Sequence, residues 1–141
     1  MNMTRIALAS LGGFVAYFVV GGLTAAPPLV RSEFLKYPGV YRPPEAMMKV
    51  MPAGMVAMFV AMVVLSVLYA MTYRGGSGLV EGARFGLLIG VFSVCAFVVH
   101  NWVNLNIGRK LTLFSTVSYL LVWTAVGVAI GLIYRPGGAG R

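Results

Sequence analysis

The sequence predicts an all-α integral membrane protein with four transmembrane helices, and two observations support this fold class. The composition is 60% hydrophobic and only 10% charged, whereas about a quarter of the residues of a soluble domain are charged. The charged residues also leave four long intervals free of charge, at residues 6–30, 50–73, 85–108 and 111–134. Each interval has 24 or 25 residues, which exceeds the roughly 20 needed to cross the hydrocarbon core. Because a charge at the bilayer centre costs at least about 2.5 kcal/mol, the intervals mark membrane spans.

Prolines, glycines and charges set the expected boundaries of the helices. We expect helices at about residues 4–26, 50–73, 82–108 and 111–134, in a single membrane domain over residues 1–141. Pro27 and Pro28 end the first helix, since proline removes a backbone donor. GGSG at 75–78 and the Arg109–Lys110 pair provide short turns, and short turns place consecutive helices antiparallel. The prediction is therefore an up-down bundle.

A long polar loop separates the first two helices. Residues 27–49, PPLVRSEFLKYPGVYRPPEAMMK, contain five of the seven prolines. We expect this Pro-rich loop to lie along the membrane surface, with a helical turn at residues 32–36 and with Tyr37 and Tyr41 at headgroup depth.

The charges indicate the partner and the orientation. The net charge of +8 comes from basic residues at the ends of spans, which favours lipid phosphate over nucleic acid as their partner. Basic residues divide almost evenly between the two sides, but Glu33 and Glu45 offset those opposite the termini. We therefore expect both termini in the cytoplasm. The first apolar run, which ends in LTAAPP, resembles a signal peptide, but its length favours a retained span.

Small residues recur every four positions, which in a bilayer marks faces where helices approach closely. The third helix carries Gly82, Gly86 and Gly90, and the fourth carries Gly127 and Gly131. Gly12 with Ala16 is a weaker version in the first helix, and Ala53, Ala57 and Ala61 are an alanine equivalent in the second. We expect one such packing face on each helix.

Polar residues follow the glycines on the third helix. At about 100° per residue, an arc of roughly 80° contains Gly86, Gly90, Ser93, Phe97, His100 and Asn104, with Asn101 just beyond it. This face is expected to point into the bundle or into a partner. One interpretation is that His100 and the asparagines are interhelical hydrogen-bond groups. The other is a functional site at His100, the only histidine. It could be a proton carrier, an axial ligand to a haem or chlorophyll-type pigment or one wall of a polar pocket with Asn104 and Trp102, or it could line a permeation pathway with Ser93 and Asn104.

Catalytic groups are scarce in the sequence. It has no aspartate, and Glu33, Glu45 and Glu81 all lie outside the predicted spans, so a carboxylate for proton coupling or hydrolysis is missing. Cys95, the only cysteine, is expected to be a small buried apolar residue, and we predict no metal site. The sequence thus favours a non-enzymatic protein.

The second half of the chain resembles a known group of proteins. From GLVEGARFGLLIG through NIGRKLTLF to VGVAIGLIYRP, over about 55 residues, it is similar to small four-helix bacterial inner-membrane proteins of unknown function. The resemblance implies a multi-pass protein of a bacterial inner membrane and carries no activity with it. Together with the small-residue faces, it leads us to expect an accessory or structural subunit of a larger membrane complex, or a homo-oligomer.

Overall fold

The computed structural model describes residues 2–135, and its regular elements there are helices. They are α1 Met3–Ala25, α2 Pro28–Phe34, α3 Pro44–Thr72, α4 Gly78–Asn104 and α5 Arg109–Ile133. All but α2 are long and apolar enough to cross a membrane, so the prediction of an all-helical chain with four such helices is confirmed. The domain predicted over residues 1–141 also includes residues 1 and 136–141, which lie outside the described residues.

Two helices start earlier than the charge pattern predicts. α3 begins at Pro44 rather than near residue 50, because proline at the first helical position has a suitable φ and lacks an N–H that would go unsatisfied there. α4 begins at Gly78 and ends at Asn104, four residues before the predicted end. Leu105 is extended, with φ −112° and ψ 146°, and this conformation stops the helix.

The four long helices lie in the spatial order α3, α1, α5, α4. α5 packs against α4 and against α1, and α3 packs mainly against α1 with a smaller contact to α5. A short turn joins α3 to α4, but within the described residues the two helices have few contacts. They meet near the turn, where the rings of Tyr69 and Phe85 lie 5.4 Å apart. Chain neighbours are therefore not always packing neighbours.

The hydrophobic core lies between α1, α3 and α5. It is concentrated towards the end of the molecule where α1 begins and α3 and α5 end. Its buried members are Ile6, Ala9, Met62, Tyr69, Val122, Val126, Ile130 and Tyr134. The N-terminal half of α3 extends beyond this core and is largely exposed.

Glycines bring α4 and α5 together backbone to backbone. A Cβ at Gly86 would lie 2.9 Å from the Cα of Thr124, and one at Gly131 would lie 2.9 Å from the Cα of Gly82. Gly127 is in similar contact with Gly86. A larger side chain at these positions would force the two helices apart, since backbone atoms cannot move aside.

The small residues of the other two helices behave differently. Gly12 of α1 faces the side chain of Ile133, and Ala16 packs partly buried on the core. Ala53 and Ala57 of α3 are exposed. The expectation that every helix uses its small-residue face within the chain is therefore wrong for α3, whose buried residues are Met62, Ser66 and Tyr69.

Candidate functional site: a polar cavity beside a π-helical turn

A π-helical turn interrupts α4 at Val94–Val99. In this geometry the backbone N–H donates to the carbonyl five residues back instead of four, so the turn takes in one extra residue. After Ser93, which is buried, the next buried residue is Val98, at 5% exposure, while Phe97 is 52% exposed. The face predicted to run unbroken from Gly82 to Asn104 is therefore wrong beyond Ser93, because that prediction assumed 100° per residue throughout.

The extra residue places His100 on the outside of the protein. His100, Trp102 and Asn104 are all exposed, and the Asn104 Nδ2 donates a hydrogen bond to the backbone oxygen of His100 at 2.8 Å. The Asn104 amide is thus engaged at the end of its own helix. Cys95, within the same π-helical turn, is exposed as well, so the expectation that it is buried is wrong.

The five residues predicted for a polar site are divided between two sides of α4. Ser93 faces the helix contact, and Asn101, although exposed, lines a surface cavity, whereas the other three are exposed and do not line it. Ser93, His100 and Asn104 therefore do not share the lumen that a permeation pathway would need. A haem or pigment ligated by His100 would lie against the outer surface of α4, where a second chain would have to complete its pocket.

The cavity beside the π-helical turn has a volume of about 200 Å³ and gathers polar groups from several elements. It is lined by Phe34, Tyr41, Val98, Asn101, Ile107, Thr112, Ser115 and Tyr119. The Thr112 hydroxyl donates to the Gly108 carbonyl at 3.2 Å. Within residues 2–135, the Asn101 amide and the Ser115 and Tyr119 hydroxyls form no hydrogen bond, so these three remain available to a bound molecule.

The segment after α1 contributes Phe34 and Tyr41 to the lining of this cavity. An ion-pair network holds the segment in place. The buried carboxylate of Glu33 accepts from the Lys36 Nζ at 2.6 Å and from the Lys110 Nζ at 2.9 Å. The hydrogen bonds from these two lysines hold the pKa of Glu33 below its usual range. Lys110 belongs to α5, so the network ties α2 to the start of α5.

Tyrosines make the second set of contacts in this segment. The Tyr37 hydroxyl accepts a hydrogen bond from the backbone N–H of Gly108 at 2.9 Å. The ring of Tyr41 packs edge-on against Phe34 at 5.0 Å, and burial raises the pKa of Tyr41. Both tyrosines, predicted as headgroup anchors, thus also make contacts within the protein.

Sequence analysis missed the hydroxyl groups of α5. Thr112, Ser115, Ser118 and Tyr119 occur within LTLFSTVSY, and the Ser118 hydroxyl lies 2.6 Å from that of Thr24 in α1. The signal is present in the sequence, because five hydroxyl residues lie within positions 112–119. Hydroxyl groups carry no charge, so they leave the charge-free interval intact and do not stand out in the charge pattern.

The cavity offers neutral hydrogen-bonding groups and aromatic surface. Its lining includes no carboxylate, histidine or lysine, so Ser115 has no neighbouring base to activate it as a nucleophile. The chemistry available is recognition of a small polar molecule by donors and acceptors. Comparison with protein-family models, curated proteins and solved structures finds no match to this chain.

Proposed function

We propose that this chain is a multi-pass protein of a bacterial inner membrane, with its four long helices in an up-down arrangement and both termini in the cytoplasm. In this proposal it is not an enzyme. It acts as an accessory or structural subunit that packs against the helices of another membrane protein. The observation that carries the proposal is the exposed N-terminal half of α3.

This half of α3 extends past the packing that the chain itself supplies. Met48 is 70% exposed and Val56 is 66% exposed. Lipid tails can cover apolar side chains, but the small residues Ala53, Gly54 and Ala57 form a shallow groove, and a Cβ at Gly54 would meet no atom within 4 Å. Helices in membranes associate at such grooves because their backbones can approach closely.

The glycines of α4 and α5 do not offer a competing surface. Gly82 and Gly86 of α4, which we call the glycine ridge, are buried against Gly127 of α5. The glycine ridge is therefore already packed inside the protein. The small face of α3 has no partner within the described residues, and the proposal places the association there.

Site-specific cross-linking tests the proposal. In a Cys95→Ser background, Ala57→Cys places a single thiol on the groove, and Val103→Cys, at a position 69% exposed on α4, serves as the matched control. We expect the Ala57 thiol to be cross-linked in native membranes and the Val103 thiol to remain largely uncross-linked. An adduct of twice the chain mass assigns the partner as a second copy, and a heavier or lighter adduct assigns a different subunit. Equal cross-linking at both positions, or a strictly monomeric species in mild detergent, contradicts the proposal.

A second candidate function, binding of a small polar molecule, is favoured by the cavity at Asn101, Ser115 and Tyr119. The native mass spectrum of the purified protein should then show an adduct that disappears in Tyr119→Phe and persists in Tyr73→Phe. The Tyr73 variant removes a phenolic hydroxyl from a partly buried residue at the C-terminal end of α3, away from the cavity. A wild-type spectrum without an adduct leaves the cavity to water and rejects this candidate.

A further inference from the structure

A cleft opens between α3 and α4 at the end of the molecule opposite the polar cavity. It has a volume of about 420 Å³ and is lined by Tyr69, Thr72, Tyr73, Arg74, Glu81, Arg84, Phe85 and Leu88. The cleft exists because α3 packs on α1 while α4 packs on α5. The two helices therefore diverge from the short turn that joins them and leave a wedge of space.

Two arginines line the end of this cleft nearest the turn. Arg74 follows the last turn of α3 and Arg84 lies in the second turn of α4, and both are exposed. Neither forms an ion pair within residues 2–135. Arginine binds phosphate through paired N–H groups in a geometry that suits bidentate contacts.

Glu81, the one carboxylate that lines the cleft, accepts hydrogen bonds from the backbone of the turn. Its Oε1 accepts from the backbone N–H of Gly76 at 2.8 Å, and its Oε2 accepts from that of Arg74 at 3.2 Å. These bonds support a turn in which Gly75 has φ +85°. With two arginines and one glutamate, the lining keeps a net charge of +1 at neutral pH, and each oxygen of the glutamate already accepts one backbone hydrogen bond.

The part of the cleft further from the turn is apolar. The rings of Tyr69 and Phe85 pack at 5.4 Å, and Leu88, one turn further along α4, is 70% exposed. Cationic groups thus stand at the helix ends and apolar groups lie towards the middle of the helices. This polarity matches that of a phospholipid lying alongside α4.

We infer that the cleft binds an anionic phospholipid, with its phosphate on Arg74 and Arg84 and an acyl chain along Phe85 and Leu88. The inference rests on the proposed membrane insertion. A free phosphate would engage the same arginines but would gain nothing from the apolar half of the cleft. An anionic headgroup is favoured over a zwitterionic one because the cleft carries a net positive charge and its single carboxylate is held by the backbone of the turn.

Native mass spectrometry after exchange into phosphatidylglycerol or phosphatidylcholine tests the inference. Wild-type protein should retain phosphatidylglycerol about 30-fold more strongly than the Arg74→Gln/Arg84→Gln variant, at about 1 kcal/mol per basic residue near a charged membrane surface. Arg5→Gln/Arg42→Gln removes the same charge elsewhere and should keep wild-type retention. Leu88→Gln should weaken retention without any change in charge at the cleft mouth.

Three outcomes overturn the lipid site. They are equal retention of the two lipids by the wild type, equal loss in both double variants, and release of the bound lipid by excess inorganic phosphate, which would assign a soluble anion instead. Flotation with phosphatidylcholine vesicles separates this failure from that of the proposed function. A protein that floats without lipid preference lacks the lipid site, whereas one that does not float lacks the membrane insertion itself.

Discussion

Gly86 lies where the backbones of α4 and α5 meet. A Cβ there would come 2.9 Å from the Cα of Thr124 and 3.0 Å from the Cα of Gly127, and neither atom can rotate away. We expect Gly86→Ala to destabilise the protein by about 1–3 kcal/mol, the usual cost of overpacking. Thermal unfolding in detergent measures it. Gly22→Ala is the matched control, because a Cβ at Gly22 meets no atom within 4 Å; equal effects of the two substitutions would contradict the close helix contact.

Glu33 makes one contact of the molecule dependent on pH. Hydrogen bonds from Lys36 and then Lys110 lower its pKa below the ordinary 4.5. A lowered pKa means that the ionised form stabilises the fold: the contribution is fully present above about pH 4.5 and is lost as the pH falls through the lower, folded value. We expect residues 28–41 to lose protection from hydrogen exchange in that acidic range, after correction for the intrinsic exchange rate.

Substitution separates this effect from general acid damage. Glu33→Gln should show reduced protection of residues 28–41 already at neutral pH and little further change in acid. Glu45→Gln, at the start of α3, should behave as the wild type. Wild-type protection that is unchanged in acid would mean that the carboxylate does not hold α2 on α5.

At the scale of the element, the π-helical turn of α4 amounts to one inserted residue. Deletion of Ala96 should convert Val94–Val99 to regular α-helix while the residues on either side keep their faces. Deletion of Ala83, in the α-helical part, should instead rotate Gly82 by about 100° relative to Gly86 and split the glycine ridge. We expect the first deletion to yield monodisperse protein close to wild-type stability and the second to aggregate. Equal damage from both deletions would contradict this account of the turn.

The same turn marks the limit of what the sequence could predict for α4. Gly82, Gly86 and Gly90 lie on the face that their spacing indicates, because a regular helix repeats closely every four residues over that length. Val94–Val99 reads VCAFVV, an ordinary apolar stretch with no residue that forces a π-helical turn. Regular helical spacing therefore predicts the wrong side of the helix for His100, which is exposed, while Asn101, predicted just beyond the polar face, lines the cavity.

At the scale of the whole molecule, the number of helices was predictable and their spatial order was not. Charges are excluded from apolar spans, so Arg5 and Arg31 bracket the charge-free span that contains most of α1, and Lys49 and Arg74 bracket that of α3. Which helices touch depends on small differences between faces that are all apolar, since lipid and protein interior favour the same side chains. The short turn at residues 73–77 predicts that α3 and α4 pack side by side, yet α3 packs mainly on α1 and α4 on α5.

The proposed topology makes a prediction for the molecule as a whole, because four spans place the Pro-rich loop and the α3–α4 turn on opposite sides of the membrane. In a Cys95→Ser background, Gly39→Cys and Ser77→Cys introduce thiols at two exposed turn positions, one on each side. We expect a membrane-impermeant maleimide to label Gly39→Cys when added outside the inner membrane and to label Ser77→Cys only after the membrane is opened. The reverse labelling pattern would invert the orientation and leave the number of spans unchanged. The expected orientation depends on Glu33 and Glu45, because the basic residues divide almost evenly between the two sides. If both thiols were labelled from one side, an even number of membrane crossings would separate residues 39 and 77. The assignment of α3 as a span would then be wrong.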